Sequence, residues 1–404
     1  MKIWLVITFA GLVTGLGFPT LARSETSTHS ESSPEPTSTP TLEGYDTQIL
    51  RDRHVIFRLL APQANDVKVL MGVTSSVNES QGTKTGQMKK NTNGFWTVTL
   101  GPFEPNLYEY QFRVDGCTIA DPGNGMPKPQ RHVNTSLLLI PGASADFLDT
   151  QNGAHGTVRD ETYYSTALSQ NRQLLVYTPP TYNSSSAPLP VLYLYQGAFD
   201  TRYSWVIEGR LPQILDNLLA QKEAVPMIVV VSDAHALPIE TTPMTNPDFW
   251  ANFSQYWEGN QTAADEELFN DIIPFIQSHY RISNQARERA IAGLSMGALQ
   301  AIASGIGHLG YFSWIGAFSP VPPSVLGDKL NTALKKPNKI NESLRLFEIV
   351  TGDNDSMTGP MTKQLDGQLT TLNIQHVYTV MPGTHSMFVW RPALCNFLQK
   401  IFKH

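Results

Sequence analysis

The spacing of hydrophobic positions changes character along this chain, and each change marks a boundary. Residues 1–22 begin with Lys2, run apolar to Phe18 and end on the small residues Thr20, Leu21 and Ala22. This is the pattern of a cleaved export signal. A membrane anchor is the alternative, but Thr8, Thr14 and three glycines interrupt a run already short of the about 20 residues a span needs. Residues 23–43 hold Ser, Thr, Pro and Glu with almost no hydrophobe. They bury too little area to offset their ordering entropy, so a disordered spacer is expected there.

From 44 to 142 hydrophobes alternate with polar residues in short runs at 54–59, 67–71, 95–100, 108–114 and 136–140. Turn-forming stretches separate them, such as Pro62 to Asp66, Asn93-Gly94 and Asp115-Gly116. Short strands at close spacing predict an all-β sandwich. From 153 onward the period changes. Continuous apolar runs at 174–177, 191–195, 227–231, 290–292, 314–318, 346–350 and 377–380 read as strands buried on both faces. Helical spacing appears between them at 266–280 and 361–372, with Pro274 a cost inside the first. Alternating strands and helices predict a mostly parallel α/β sheet over 153–404, so two folded domains are expected.

Composition narrows the function. The 404 residues are 41% hydrophobic and 16% charged, with a net charge of −6. That balance excludes wholesale disorder and a coiled coil, and it disfavours nucleic-acid binding, which calls for a basic patch. Only two cysteines are present, Cys117 and Cys395, one in each expected domain. Export would permit a bridge between them, but nothing requires one.

The sharpest chemical signal is Gly293-Leu294-Ser295-Met296-Gly297, a G-x-S-x-G between a strand-like and a helix-like segment. This is the context of a nucleophile elbow, in which glycines let the backbone turn tightly and lift a serine above the sheet. The Met296 N–H would then face the oxyanion. A serine needs a base, and the order of partners in such folds is Ser, acid, His. His385 lies in the loop after the last strand-like run, where the base belongs; His308, His376 and His404 are less well placed. The acid should follow the preceding strand, a few residues on, which puts Asp355 first and leaves Asp353 as the runner-up or a turn former. A second oxyanion donor should come from the loop after 191–195, where the Ala198 N–H is the candidate. Gln196, Trp205 and Trp257 are candidate pocket residues, the last within 249–257 (FWANFSQYW), whose five aromatics suit an acyl pocket, a sugar-stacking wall, a lid or core packing. No metal or cofactor is expected, and Asp233-Ala234-His235 is an unconvincing ligand set.

Two resemblances add to this reading. "FRLLAPQANDVKVL", "GFWTVTLGPFEPNLYEYQFRVDG" and "ADPGN" resemble an early-set immunoglobulin-like domain of the family 48 carbohydrate-binding type. Trp96 would there be a sugar platform or, more simply, a core residue. "VLYLYQGAFDTRYSW", "RAIAGLSMGALQA", "TGDNDSM" and "PGTHSMFVWRPAL" resemble the esterase D-like branch of the α/β-hydrolases, and within it carbohydrate esterase family 1. That resemblance implies a Ser295–Asp355–His385 triad acting on feruloyl or acetyl esters of plant polysaccharide. A trilactone siderophore esterase, an acyltransferase and a catalytically vestigial sugar-binding protein are the alternatives. The chain departs from the family's usual His-Gly at Gln196-Gly197, and Ala298 stands where a third glycine is common. The implied location is secreted or periplasmic, with an ester as partner, no nucleic acid, and no membrane once the signal is removed.

Overall fold

The computed structural model describes residues 46–72, 84–131, 135–183, 187–238, 249–320 and 327–403. The expected export signal and spacer lie outside them. The first strands are β1 (Gln48–Ile49), β2 (Val55–Leu60), β3 (Val67–Met71), β4 (Lys84–Gln87) and β5 (Lys89–Lys90). They continue with β6 (Phe95–Leu100), β7 (Asn106–Val114), β8 (Cys117–Ile119) and β9 (Ser136–Ile140). They form two antiparallel sheets, β1-β2-β6-β5 and β4-β3-β7-β8, with β9 added beside β7. Alternate residues face inward, as in Val55, Phe57 and Leu59 of β2 and Val67, Val69 and Met71 of β3. Trp96 belongs to this core: it is 6% exposed, and its indole N–H donates to the Ala61 carbonyl at 2.9 Å. It therefore offers no exposed face to a sugar.

A third sheet has eight strands: β10 (Thr157–Ser165), β11 (Gln170–Thr178), β12 (Val191–Tyr195) and β13 (Ile228–Ser232) come first. Next are β14 (Arg289–Leu294), β15 (Trp314–Phe318), β16 (Leu346–Gly352) and β17 (Val377–Met381). The order is β10-β11-β13-β12-β14-β15-β16-β17, parallel from β13 onward and antiparallel at β10 and β11. The helices are α1 (Ser204–Ile207), α2 (Leu211–Ala220), α3 (Phe249–Glu267), α4 (Ile273–His279) and α5 (Met296–Gly307). α6 (Gly327–Leu334), α7 (Pro337–Ser343), α8 (Gly359–Thr371) and α9 (Met387–Leu398) follow.

Helices cover both faces, which explains the unbroken apolar strands. In β12, Val191, Tyr193 and Tyr195 enter one core, shared with Leu299 and Ile302 of α5. Leu192 and Leu194 enter the other, shared with α2 and with Val389 and Phe397 of α9. The second core also takes Leu107 and Leu137 from the sandwich, so the two layers of structure share apolar packing. The buried Arg391 of α9 fastens the joint: it donates to the Leu107 carbonyl at 3.0 Å, to Asn106 Oδ1 at 3.1 Å and to the Glu208 carbonyl at 2.8 Å.

Two differences from the sequence reading have physical causes. The strand β10 (TVRDETYYS) carries the adjacent charges Arg159, Asp160 and Glu161 because it is an edge strand, and so shows no apolar run. The helix expected at 266–280 is the tail of a longer rod beginning at Phe249. A π-helical turn, Leu268–Ile272, precedes α4, placing Pro274 in a first turn where its missing N–H costs nothing. The cysteines are both free, Cys117 exposed and Cys395 partly buried, with burial pushing the Cys395 thiol up to about 11. Among the described residues no helix is long and apolar enough to cross a membrane.

Candidate active site

β14 ends at Leu294, α5 begins at Met296, and Ser295 forms the whole connection with φ 51° and ψ −116°. A non-glycine residue at such a φ costs on the order of 1–3 kcal/mol and persists only where its surroundings fix it. They do: the Ser295 N–H donates to the Phe318 carbonyl at 2.8 Å, and its own carbonyl accepts from the Ala298 N–H at 3.1 Å. The flanking glycines are needed for space. A Cβ on Gly293 would lie 2.4 Å from the Gly297 backbone, and one on Gly297 would lie 2.4 Å from the Gln196 carbonyl oxygen. Ala298 is fully buried in the first core, so the methyl that replaces the third glycine is accommodated by packing.

The histidine arrives from the other end of the sheet. The loop after β17 brings His385 Nε2 to 3.0 Å from Ser295 Oγ, while its Nδ1 stands 2.9 Å from Asp355 Oδ2. Asp355 is buried in the loop after β16, where Oδ1 accepts the N–H groups of Thr358 (2.8 Å) and Met357 (3.1 Å) and Oδ2 accepts the Thr358 hydroxyl (2.9 Å). Burial alone would raise its pKa, but the hydrogen bonds and charge of His385 and the Thr358 donors prevail and hold it down at about 2. It is an ionised orienter for the imidazole. Asp353 does different work: its Oδ1 accepts the Gly383 N–H at 2.8 Å, bracing the loop that carries His385. Trp390 of α9 stands edge-on to the imidazole, with centroids 4.9 Å apart, and its N–H donates to Ser319 Oγ at 3.0 Å.

The loop after β12 runs beside the serine. A Cβ built on Gly197 would come within 3.4 Å of Ser295 Cβ. The Gly197 N–H is taken by Asp200 Oδ2 at 3.2 Å and the Phe199 N–H by His235 Nε2 at 3.2 Å. Between them, the Ala198 N–H makes no hydrogen bond among the described residues. The Met296 N–H, in the first turn of α5, has no intrahelical partner either. One donor follows the serine directly in the chain, and the other follows Gly197, the loop residue that lies against Ser295 Cβ. Because His235 Nε2 accepts, its Nδ1 carries the proton and donates to the Tyr256 hydroxyl at 2.5 Å.

The three expected pocket residues are not where the sequence put them. Trp205 is fully buried in the second core, its N–H donating to the Tyr195 carbonyl at 2.8 Å and its ring edge-on to Phe318. Trp257 is 2% exposed and sits in the first core. Gln196 is buried, with its Nε2 donating to Asp233 Oδ1 at 3.2 Å. Among the described residues each of these side chains is buried in packing or bracing contacts. Trp205→Ala is therefore expected to cost about 3–5 kcal/mol of stability, as a large buried aromatic does, measured by denaturant unfolding; a pocket wall would instead change KM with little loss of stability. Asp233 and His235 brace the same loop. Thr358, Ser319 and Trp390 went unread as site residues because a hydroxyl or an indole in a loop or helix has no spacing rule.

A sheet of this order, with a strained serine between a central strand and its helix and a histidine after the last strand, defines an α/β-hydrolase. The Esterase family model matches residues 165–401, and the carbohydrate-binding module 48 (isoamylase N-terminal domain) model matches residues 44–132. The chain belongs to the Esterase family, a family of carboxylic ester hydrolases, and carries the module in front of it. It is similar to an endo-1,4-beta-xylanase/feruloyl esterase of Xylanibacter ruminicola, 26% identical over 359 residues, which are 86% of this chain and 44% of that one. The chain spans about half the length of the curated relatives it matches. Among solved structures, a ferulic acid esterase of carbohydrate esterase family 1 from Anaeromyces mucronatus is 26% identical, with a TM-score of 0.54 over 64% of this chain and 95% of that one. The enterobactin esterase of Shigella flexneri shares the fold, at 18% identity and a TM-score of 0.59 over 88% of this chain and 95% of that one.

Proposed function

We propose that this protein is an exported serine esterase that cleaves feruloyl or acetyl esters carried by plant polysaccharide. The observation that carries the chemistry is the unbroken line from Ser295 Oγ through His385 to Asp355, at 3.0 and 2.9 Å. In the proposed reaction Nε2 of His385 takes the Ser295 proton as Oγ bonds to the ester carbonyl carbon. The Met296 and Ala198 N–H groups hold the developing oxyanion. The C–O bond to the alcohol breaks, His385 protonates the leaving oxygen, and an acyl-serine remains. Water, deprotonated by His385, then releases the acid and restores the serine. Asp355 holds the imidazole and stabilises its cation throughout.

Support for the acyl group comes from relatives named as feruloyl esterases, and support for the polysaccharide from the module matched at 44–132. Support for export comes from the pattern of residues 1–22. The test compares rates on a feruloylated arabinoxylan fragment, an acetylated xylan fragment and enterobactin. Faster release of ferulate or acetate than of enterobactin products is expected. Preference for the trilactone would move the substrate to a siderophore, and acyl transfer to an added alcohol at the expense of hydrolysis would make the protein a transferase.

A further inference from the structure

The sandwich domain reaches into the site. Its segment 128–131 lies against the loop that supplies the Ala198 N–H, and it falls within the stretch matched by the binding-module family. Gln130 pairs with Asp200 as an antiparallel bridge, and the Arg131 N–H donates to the Phe199 carbonyl at 3.0 Å. From the hydrolase side, the hydroxyls of Thr201 and Ser204 donate to the Pro129 carbonyl at 3.1 and 3.2 Å. Lys128 anchors the segment in the interior, buried with its ammonium 2.9 Å from Glu109 of the sandwich and 3.2 Å from Glu208 of the hydrolase. Burial would lower its pKa, but the two glutamates win and keep it above its usual range.

Arg131 grips the loop at two points. Its Nε donates to the Asp200 carbonyl at 3.1 Å, and its terminal nitrogen pairs with the Asp233 carboxylate. That carboxylate also accepts from Gln196 Nε2 at 3.2 Å and from the His235 N–H at 3.1 Å. The guanidinium thus joins Asp200, at the far end of the loop, to the residue that brackets Gln196 at its near end. Ala198 lies between them. A planar fork with fixed donors suits this double contact, and an ammonium on a flexible stem does not.

We propose that Arg131, supplied by the sandwich domain, is the positioning residue for the oxyanion-binding amide of Ala198. The inference rests on the oxyanion role given to Ala198 above. It assigns the N-terminal domain a part in the esterase step itself, on small esters that never touch a sugar-binding surface. The side-chain contacts of Arg131 are with Asp200 and Asp233, so in this proposal it acts by holding a backbone donor where the tetrahedral oxyanion forms. A displaced donor costs transition-state binding and leaves ground-state binding nearly untouched.

The test uses the whole protein and a small chromogenic acetate ester, with Arg131→Ala, Arg131→Lys and Ser295→Ala compared with wild type. Arg131→Ala is expected to lower kcat roughly 10- to 100-fold, the scale of a misplaced or lost oxyanion donor, with KM changed little. Its affinity for a trifluoromethyl ketone, which forms an oxyanion-bearing adduct on the serine, should fall by the same factor. Arg131→Lys keeps the charge beside Asp233 and should recover only part of the loss. Circular dichroism and melting temperature follow each variant, and because Arg131 is about a third exposed the substitution leaves no buried cavity. If kcat and ketone affinity of Arg131→Ala stay at wild-type values, the proposal is wrong. It is equally wrong if kcat falls only in step with unfolding while Arg131→Lys, folded, keeps both. Ser295→Ala separates the two layers: full activity there overturns the catalytic reading, whereas an inactive Ser295→Ala beside a fully active Arg131→Ala overturns the positioning role alone.

Discussion

Ser295→Ala is expected to lower kcat for ester hydrolysis by roughly 10⁴- to 10⁶-fold, the range seen when the nucleophile of such a triad is removed. The argument is geometric. Oγ stands 3.0 Å from His385 Nε2, and the N–H groups of Met296 and Ala198 make no hydrogen bond among the described residues. Without it no acyl-serine forms, and His385 has only water to activate. Stability should hardly change. Alanine tolerates φ 51° no worse than serine does, and Ser295 is fixed through its backbone bonds to Phe318 and Ala298. The check is steady-state kinetics on a chromogenic ester beside a melting curve. A variant that melts normally and keeps within about tenfold of wild-type kcat would remove the serine from the chemistry.

The second large effect separates two aspartates two residues apart. Asp355→Asn is expected to cost about 10⁴-fold in kcat, because an amide at this position favours the wrong imidazole tautomer and supplies no charge to the cation. Asp353→Asn should cost far less. Its side chain accepts the Gly383 N–H and the Asn354 side-chain amide, and an asparagine oxygen can accept both bonds. Both are read by kcat at a pH where wild type is most active. A large loss at Asp353 with little at Asp355 would reverse the assignment. There is a linked pH effect on stability. The Asp355 carboxyl is held at about 2 in the folded chain, below its ordinary 3.8. Its contribution to stability is therefore present above about pH 4 and fades as the pH falls toward 2. Acid titration of unfolding should show a shallower slope over that window in Asp355→Asn.

What was legible in the sequence follows from how each feature is encoded. The runs at 191–195 and 314–318 coincide with β12 and β15, because a strand covered on both faces must be apolar throughout. The contact between Ser295 and His385 could be anticipated because a nucleophile elbow calls for glycines at fixed offsets and a histidine after the last strand. The sequence put Asp355 ahead of Asp353 only by its place in the loop, a few residues past the strand. Both are aspartates in one loop, and only the register of that loop against the loop around Gly383 decides which faces the imidazole. The tryptophans at 205 and 257 misled for a related reason: an aromatic ring serves a pocket or a core equally well, and composition does not reveal which side of a helix is buried. Arg131 carried no signal at all. Its meaning arises from a contact with Asp200 and Asp233, 69 and 102 residues away, across the joint between the sandwich and the hydrolase.

The most direct test of the catalytic account is trapping. The protein is treated with a fluorophosphonate ester, and the intact mass and the peptide map are measured. One adduct per chain is expected, on the peptide carrying Ser295, with activity lost in proportion and no adduct on Ser295→Ala. Stoichiometric labelling elsewhere, or full hydrolysis persisting in a chain labelled at Ser295, would contradict it.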